Sequence, residues 1–297
     1  MLELDQVSKR FGEVVAVREL SLAVRPGEIL GLTGPAGAGA STALRIAAGL
    51  LPPDSGRVSW GTGPLTRAAR NRLGYLPQRR GLPRETTVLD HLVLLAELHG
   101  VDTNSAHRDA LLWLDRLGLR AVRGRRISAL DPATVHRVHL AGVLTHGPEA
   151  LLLDDPFAGL SEASIATWGT VLRGLAGTGA AILFTTRDIG LAEGLCDRIG
   201  LLRDGALESF GSPAELSGDV HRLAIVDMAD LDWVTGLEHC RLRGRTGNRA
   251  VLELDAEADE QAVLAAALAN GPVAEFTLRP ATLADLYENG VVRAEPS

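Results

Sequence analysis

Lysine is almost absent from this chain: of its 30 basic residues only Lys9 is a lysine, and arginine supplies the rest. A site that requires a lysine and has lost it has no neighbouring lysine to stand in. Cysteine is equally scarce. Cys196 and Cys240 sit in different segments without CxxC spacing, which points to two reduced thiols and away from a redox or metal site. Positive charge is in deficit overall, with a net charge of −7 and a pI near 5.6, and this excludes broad, sequence-independent binding of nucleic acid. Arg79-Arg80 and the arginines between Arg123 and Arg126 therefore read as solvated loops. No apolar stretch approaches the roughly 18 residues that span a bilayer. The opening Met1-Leu2-Glu3-Leu4-Asp5 lacks the basic-then-apolar layout of a secretory leader, so the expectation is residence in the cytosol. What is present is an ordinary globular balance, 46% hydrophobic and 23% charged. At 297 residues the chain is long enough for one large and one small domain.

Residues 2–8 and 20–24 alternate apolar and polar and read as half-buried strands. Ile29 to Leu32 is a short apolar strand, followed by a glycine-rich run from Gly34 to Gly39 and a helix over Ser41 to Gly49. A strand, a glycine loop and a helix in succession form a phosphate-loop unit by pattern. From Val88 to about Gly124 the apolar spacing is helical. Ala150 to Leu153 and Ala181 to Phe184 are continuously apolar strands of the buried parallel type, with a helix around Ser164 to Leu175 between them. Ile199 to Gly205 reads as a strand and turn. Composition becomes loop-like from Gly211 to Asp219, which places a domain boundary at 217/218. Beyond it the pattern predicts a strand over 221–228, helix 229–238, strand 249–254, helix 257–269, strand 273–278 and a closing helix at 282–288, a small α+β unit. No internal repeat is visible.

The loop Gly34-Pro35-Ala36-Gly37-Ala38-Gly39-Ala40-Ser41-Thr42 fits G-x-x-x-x-G-K-[ST] except that Ala40 stands where the lysine belongs. Glycines at such spacing let backbone N–H groups turn inward around phosphates, and the following helix adds its positive end. Ser41 is the candidate magnesium ligand. Without its lysine the loop alone is also compatible with a plain tight turn. His136 and His139 lie three apart on a helix face, a spacing that suits a metal pair, but no third ligand of matching spacing accompanies them.

Further stretches appear in order. Lys9-Arg10-Phe11-Gly12 comes first, then Leu73-Gly74-Tyr75-Leu76-Pro77-Gln78, Leu151 to Leu160 with Asp154-Asp155 inside it, and Glu193 to Ile199 followed by Asp204-Gly205. With the loop they resemble the ATP-binding subunits of ABC transporters, specifically bacterial ABC-2-type exporter subunits with an extra C-terminal domain. The resemblance runs from residue 2 to about 217, and Glu275 to Pro280 and Leu283 to Tyr287 resemble that subfamily's ending. It implies an α/β fold, a P-loop NTPase of ABC type with a helical subdomain over about 80–145, plus a small C-terminal α+β domain over 218–297. It implies ATP and Mg²⁺ as ligands, held through Phe11 against adenine, through Gly34, Gly37, Ala38, Gly39, Ala40, Ser41 and Thr42 around the phosphates, and through Ser41, Gln78 and Asp154 at the metal. It also implies a membrane-spanning permease as partner, docked on the flank from Gln78 to Leu94, and a homodimer or a heterodimer with an intact ABC ATPase, peripheral on the inner face of the membrane and without nucleic acid.

Against that pattern the departures converge on one γ-phosphate site. Ala40 replaces the lysine, Asp155 the catalytic glutamate, Arg187 the switch histidine and Ser161 an aspartate of the D-loop. Aspartate is one methylene too short, and arginine neither accepts a hydrogen bond nor shuttles a proton. The signature serine and glycines align with Leu130-Asp131-Pro132-Ala133, where Asp131 and Pro132 form an N-cap and first-turn pair that fills the helix's anion-binding end. The expectation is a degenerate ABC subunit with weak or absent hydrolysis. Two alternatives stay open: a scaffold or regulator that binds no nucleotide, and an ordinary exporter ATPase with unusual motifs.

Overall fold

The computed structural model describes residues 1–78, 81, 85–218 and 222–288. Two compact units result, Met1–Phe210 and Gly211–Ser297.

The first unit opens with β1 (Leu2–Phe11) and β2 (Val14–Val24), antiparallel partners whose inward residues Leu2, Leu4, Val7, Leu20 and Leu22 are buried. Then come β3 (Ile29–Thr33), α1 (Ala40–Ala47), β4 (Ser55–Trp60), the two-residue β5 (Gly63–Pro64), the one-turn α2 (Arg67–Arg70) and β6 (Leu73–Leu76). The apolar run after residue 88 folds as two helices, α3 (Val88–Leu98) and α4 (Thr103–Arg116). Gly100, at φ +92°, and the Asp102 cap on the Ser105 N–H break it between them. They pack with α5 (Pro132–Leu144) as a helical layer.

Beyond it, β7 (Ala150–Asp154), α6 (Glu162–Gly177), β8 (Ala181–Thr186), α7 (Ile189–Leu195), β9 (Arg198–Arg203) and β10 (Ala206–Gly211) complete the unit. One sheet runs β2-β1-β4-β5, and the other runs β10-β9-β3-β8-β7-β6, with β3, β6, β7, β8 and β9 parallel. Every residue of β3, β7 and β8 is buried, which explains the apolar runs Ile29–Leu32, Ala150–Leu153 and Ala181–Phe184 that lead to the polar residues at their carboxyl ends. A mixed α/β fold with a parallel central sheet follows.

The second unit holds α8 (Pro213–Ser217), β11 (Arg222–Asp227), β12 (Cys240–Thr246), β13 (Arg249–Leu254), α9 (Glu260–Ala269), β14 (Glu275–Pro280) and α10 (Leu283–Glu288). Its antiparallel sheet runs β12-β13-β11-β14. The units part at 210/211 and not at 217/218, because α8 packs with α10 inside the second. The helix expected over 229–238 is only a 3-10 turn at Asp232–Gly236. Asp230 Oδ1 accepts the Asp232 N–H at 3.0 Å, a local bond that competes with an α-helix. Strand β12 was not expected: the register shifts between Leu242 and Gly244, a bulge in it. No described helix is long and apolar enough to cross a membrane.

Candidate functional site

The glycine loop leaves the carboxyl end of β3, where ligands sit in open parallel sheets. Its glycines are dictated by close approach. A Cβ on Gly34 would lie 2.3 Å from the Leu202 carbonyl oxygen, and one on Gly39, at φ +102°, would lie 2.1 Å from that of Ala16. Gly39 caps α1 without any side-chain hydrogen bond, and no acidic residue stands in the first turn of that helix. The positive end of α1 is thus left open toward the loop.

Ser41, on the first turn of α1, donates from Oγ to Asp154 Oδ1 at 2.7 Å. The Thr185 hydroxyl donates to the same oxygen at 2.8 Å. Asp154 ends β7 at 0% exposure, and its Oδ2 has no hydrogen-bond partner among the described residues, with Arg45 Nη2 at 3.9 Å. Arg45 lies on the far turn of α1 and also faces Tyr75, whose phenol burial pushes up while Arg45 opposes the shift. A buried carboxylate with one orphaned oxygen beside a serine hydroxyl is a donor set that fits a hard divalent cation. Ser41 and Asp154 would hold magnesium here, and the ion would supply charge against phosphate oxygens.

Asp155 follows in left-handed backbone at φ +50°, tolerated by aspartate, and its N–H is shared between the Thr185 carbonyl at 3.2 Å and the Thr185 hydroxyl at 3.0 Å. A cavity of about 460 Å³ collects the loop from Gly34 to Thr42, Gln78, Asp154, Asp155, Thr185, Thr186 and Arg187. Phe11 is not among its lining. That ring stands 51% exposed at the end of β1 with the Lys9 ammonium 5.9 Å from its centroid, while Val14 and Ala16 of β2 reach the cavity. Gln78 lines the cavity, but residues 79, 80 and 82–84 of the flank that runs from Gln78 to Leu94 lie outside the described residues.

The remaining sequence candidates stand elsewhere. Asp131 caps α5: Oδ1 accepts the Thr134 N–H at 2.9 Å and Oδ2 the Thr134 hydroxyl at 2.7 Å, which together hold its carboxyl below the usual range. Pro132 follows at the first helical position and has no N–H to offer. Leu130, Asp131, Pro132 and Ala133 do not line the cavity. Ser161 caps α6. His136 Nε2 bonds the Pro156 carbonyl, which ties α5 to the segment after β7. No group of three metal-ligating side chains occurs among the described residues. Thr185 and Arg45 were missed in sequence; the Thr185-Thr186 pair ahead of Arg187 was the visible signal for the first.

A family model described as "ABC transporter" matches residues 17–158. Over 296 residues the chain is 31% identical to a Nod factor export ATP-binding protein I of Burkholderia lata, across 96% of this chain and 95% of that one. The chain belongs to the ABC transporter ATP-binding family. An uncharacterized ABC transporter ATP-binding protein of Bacillus subtilis, YhaQ, is 29% identical over 97% of each chain, so the likeness extends through the second unit as well. Among solved structures, an ATP-binding subunit of an ABC transporter superposes with a TM-score of 0.68 at 24% identity, over 73% of this chain and 92% of that one. A dimeric ATP-binding cassette bound to ADP and Pi, MJ0796, gives 0.65 at 24% identity, over 71% and 98%. These two establish the fold, a P-loop NTPase of ABC cassette type.

Proposed function

We infer that this ABC subunit keeps the frame of a nucleotide site and has lost most of its hydrolytic chemistry. The observation that carries the reading is the intact Ser41–Asp154 pair standing beside Ala40 in one cavity. Loop amides, the open end of α1 and the serine–aspartate pair can hold phosphates and magnesium. The methyl of Ala40 supplies no charge to them. Each charge-assisted hydrogen bond forfeited with a lysine is worth about 1.5–3 kcal/mol, so binding falls to the micromolar-to-millimolar range. Asp155 is one methylene short of a glutamate, and a displacement of about 1 Å costs roughly 100-fold in rate. Arg187 cannot relay a proton. These losses fall on the same phosphate, which is why hydrolysis is assigned as weak or absent.

The subunit works beside a membrane-spanning permease, peripheral on the inner face of the membrane, paired with a second copy or with an intact ABC ATPase. The Asp131 carboxylate accepts the Thr134 N–H in the first turn of α5 and sets a negative charge at the helix end that a signature helix would turn toward a partner's phosphate. This subunit therefore gives little stimulation to a partner's ATPase. Titration of the purified chain with Mg·ATP, alongside a phosphate-release assay, tests the reading: saturable binding with background turnover supports it. A flat isotherm would favour a nucleotide-free scaffold, and turnover abolished by Asp154→Asn an ordinary ATPase.

A further inference from the structure

The two oxygens of the buried Asp154 carboxylate are treated unequally. Oδ1 accepts the hydroxyls of Ser41 at 2.7 Å and Thr185 at 2.8 Å, while Oδ2 has no hydrogen-bond partner among the described residues. A carboxylate held out of water with one bare oxygen draws a cation. Arg45 is that cation. Its Nη2 lies 3.9 Å from Oδ2, and it is the only basic side chain paired with Asp154 among the described residues.

Helix periodicity brings it there. Ser41 and Arg45 are four residues apart on α1 and share one face of it, a turn apart. Because α1 packs on β7, each reaches a different oxygen of the same carboxylate. Arg45 stands a turn farther from the glycine loop and does not line the loop cavity, so its guanidinium meets Asp154 and leaves the ligand space clear. Its hold is loose: 3.9 Å is beyond hydrogen-bond distance, and the side chain is 48% exposed. A second partner stands beside it. Tyr75 pairs with Leu152 in the β6–β7 register, Leu152 and Asp154 point to the same face of the sheet, and the Tyr75 phenol faces Arg45.

We propose that Arg45 is a built-in counter-ion that competes with magnesium for Asp154, balancing the buried carboxylate in the absence of the ion and yielding to it with Tyr75 as the other partner. The proposal rests on the reading above, in which Ser41 and Asp154 hold magnesium beside a nucleotide. Charge decides the direction of the effect. A guanidinium stays protonated at any physiological pH. Its charge beside Oδ2 offsets the carboxylate's attraction for a second cation and repels that cation directly. Free magnesium therefore gains little from Ser41 and Asp154 alone, and the ion is held firmly only when nucleotide phosphates add their own negative charge. Tyr75 sets the balance, because contact with the phenol draws the guanidinium away from Asp154. Arg45 is thus a positioning residue that acts through Asp154 and touches neither nucleotide nor reacting atoms.

Calorimetric titration of the full chain with ADP in EDTA and with Mg·ADP tests this, because the ratio of the two affinities isolates what magnesium contributes. Arg45→Met keeps the length of the stem and removes the charge. It is expected to melt below wild type in EDTA and yet to raise the affinity ratio by roughly 3- to 10-fold, the scale of a divalent ion relieved of one partly screened charge. Arg45→Lys should stay near wild type in both readouts. Tyr75→Phe keeps the ring and removes the alternative partner, so the ratio should fall by roughly 2- to 5-fold. An arginine with a structural role alone would lower stability and leave the ratio where it was or lower it. A ratio unmoved or lowered in Arg45→Met therefore overturns the proposal. If that variant does not fold, Tyr75→Phe carries the test, and a ratio unmoved or raised there overturns it. A wild-type chain that binds ADP equally with and without magnesium, or not at all, refutes the reading on which the proposal rests, and this inference with it.

Discussion

Restoring a lysine at position 40 gives a quantitative handle on the site. Ala40 is the first residue of α1, half-buried, lining the cavity beside Ser41 and directly after the Gly39 cap. A lysine placed there projects along the loop toward the inner phosphates. Its charge at the helix start opposes the macrodipole and costs about 0.3–1 kcal/mol in the absence of ligand. With nucleotide bound it regains one or two charge-assisted hydrogen bonds of about 1.5–3 kcal/mol each. The net expectation for Ala40→Lys is binding tighter by roughly 10- to 100-fold for Mg·ATP. Mg·ADP should gain by a similar factor, because both nucleotides present the inner phosphates. Turnover should stay near background in the single variant, since Asp155 and Arg187 are unchanged, and rise only when Asp155→Glu and Arg187→His are added. Calorimetry gives the affinities and phosphate release the rate. Unchanged affinity for both nucleotides in a folded Ala40→Lys protein would refute the reasoning.

Other perturbations follow from the same geometry. Asp131→Ala removes the cap of α5 and should lower the urea midpoint of unfolding, with Asp131→Asn closer to wild type; no loss would show that Thr134 finds its partners elsewhere. Asp154→Ala strands the hydroxyls of Ser41 and Thr185 in a buried setting and should cost about 1–3 kcal/mol as well as magnesium-dependent binding, measured by melting with and without the ion. His146, stacked on His99 at 3.8 Å, is pushed down to about 4 by burial and then by the neighbouring His99. Its folded value lies below the unfolded one near 6.5, so the unfolded chain binds the extra proton and stability falls as pH drops from about 6.5 to 4. His146→Gln should flatten that part of a pH–stability curve, and an unaltered slope would assign it to other groups.

Much of the first unit was legible because its elements carry strong local signals. Gly37 and Gly39 take positive φ, a Cβ on Gly34 or Gly39 would collide with a neighbouring carbonyl, and β3, β7 and β8 are apolar up to their carboxyl ends because both faces are covered. Asp131-Pro132 announced its own helix cap. What spacing could not convey was register. That Thr185 would share its hydroxyl with Asp154 and its carbonyl with the Asp155 N–H depends on β7 and β8 pairing in one alignment. Arg45 meets Asp154 only because α1 packs on β7. Placing Phe11 outside the cavity lining, with Val14 and Ala16 inside it, likewise needs the β1–β2 hairpin in three dimensions. In the second unit the signals were weaker: β12 offers only Cys240 and Leu242 as apolar residues and takes its strand form from pairing with β13, and the Asp230 side chain diverts a helical pattern into a single 3-10 turn.

The central claim is that a nucleotide site survives in frame while its hydrolysis does not, and paired binding and turnover measurements on the purified wild-type chain address it most directly. Saturable Mg·ATP binding at micromolar to millimolar concentration, with phosphate release no faster than in Asp154→Asn, is the predicted result. Release well above that variant's rate, or no binding at any concentration tested, would contradict it.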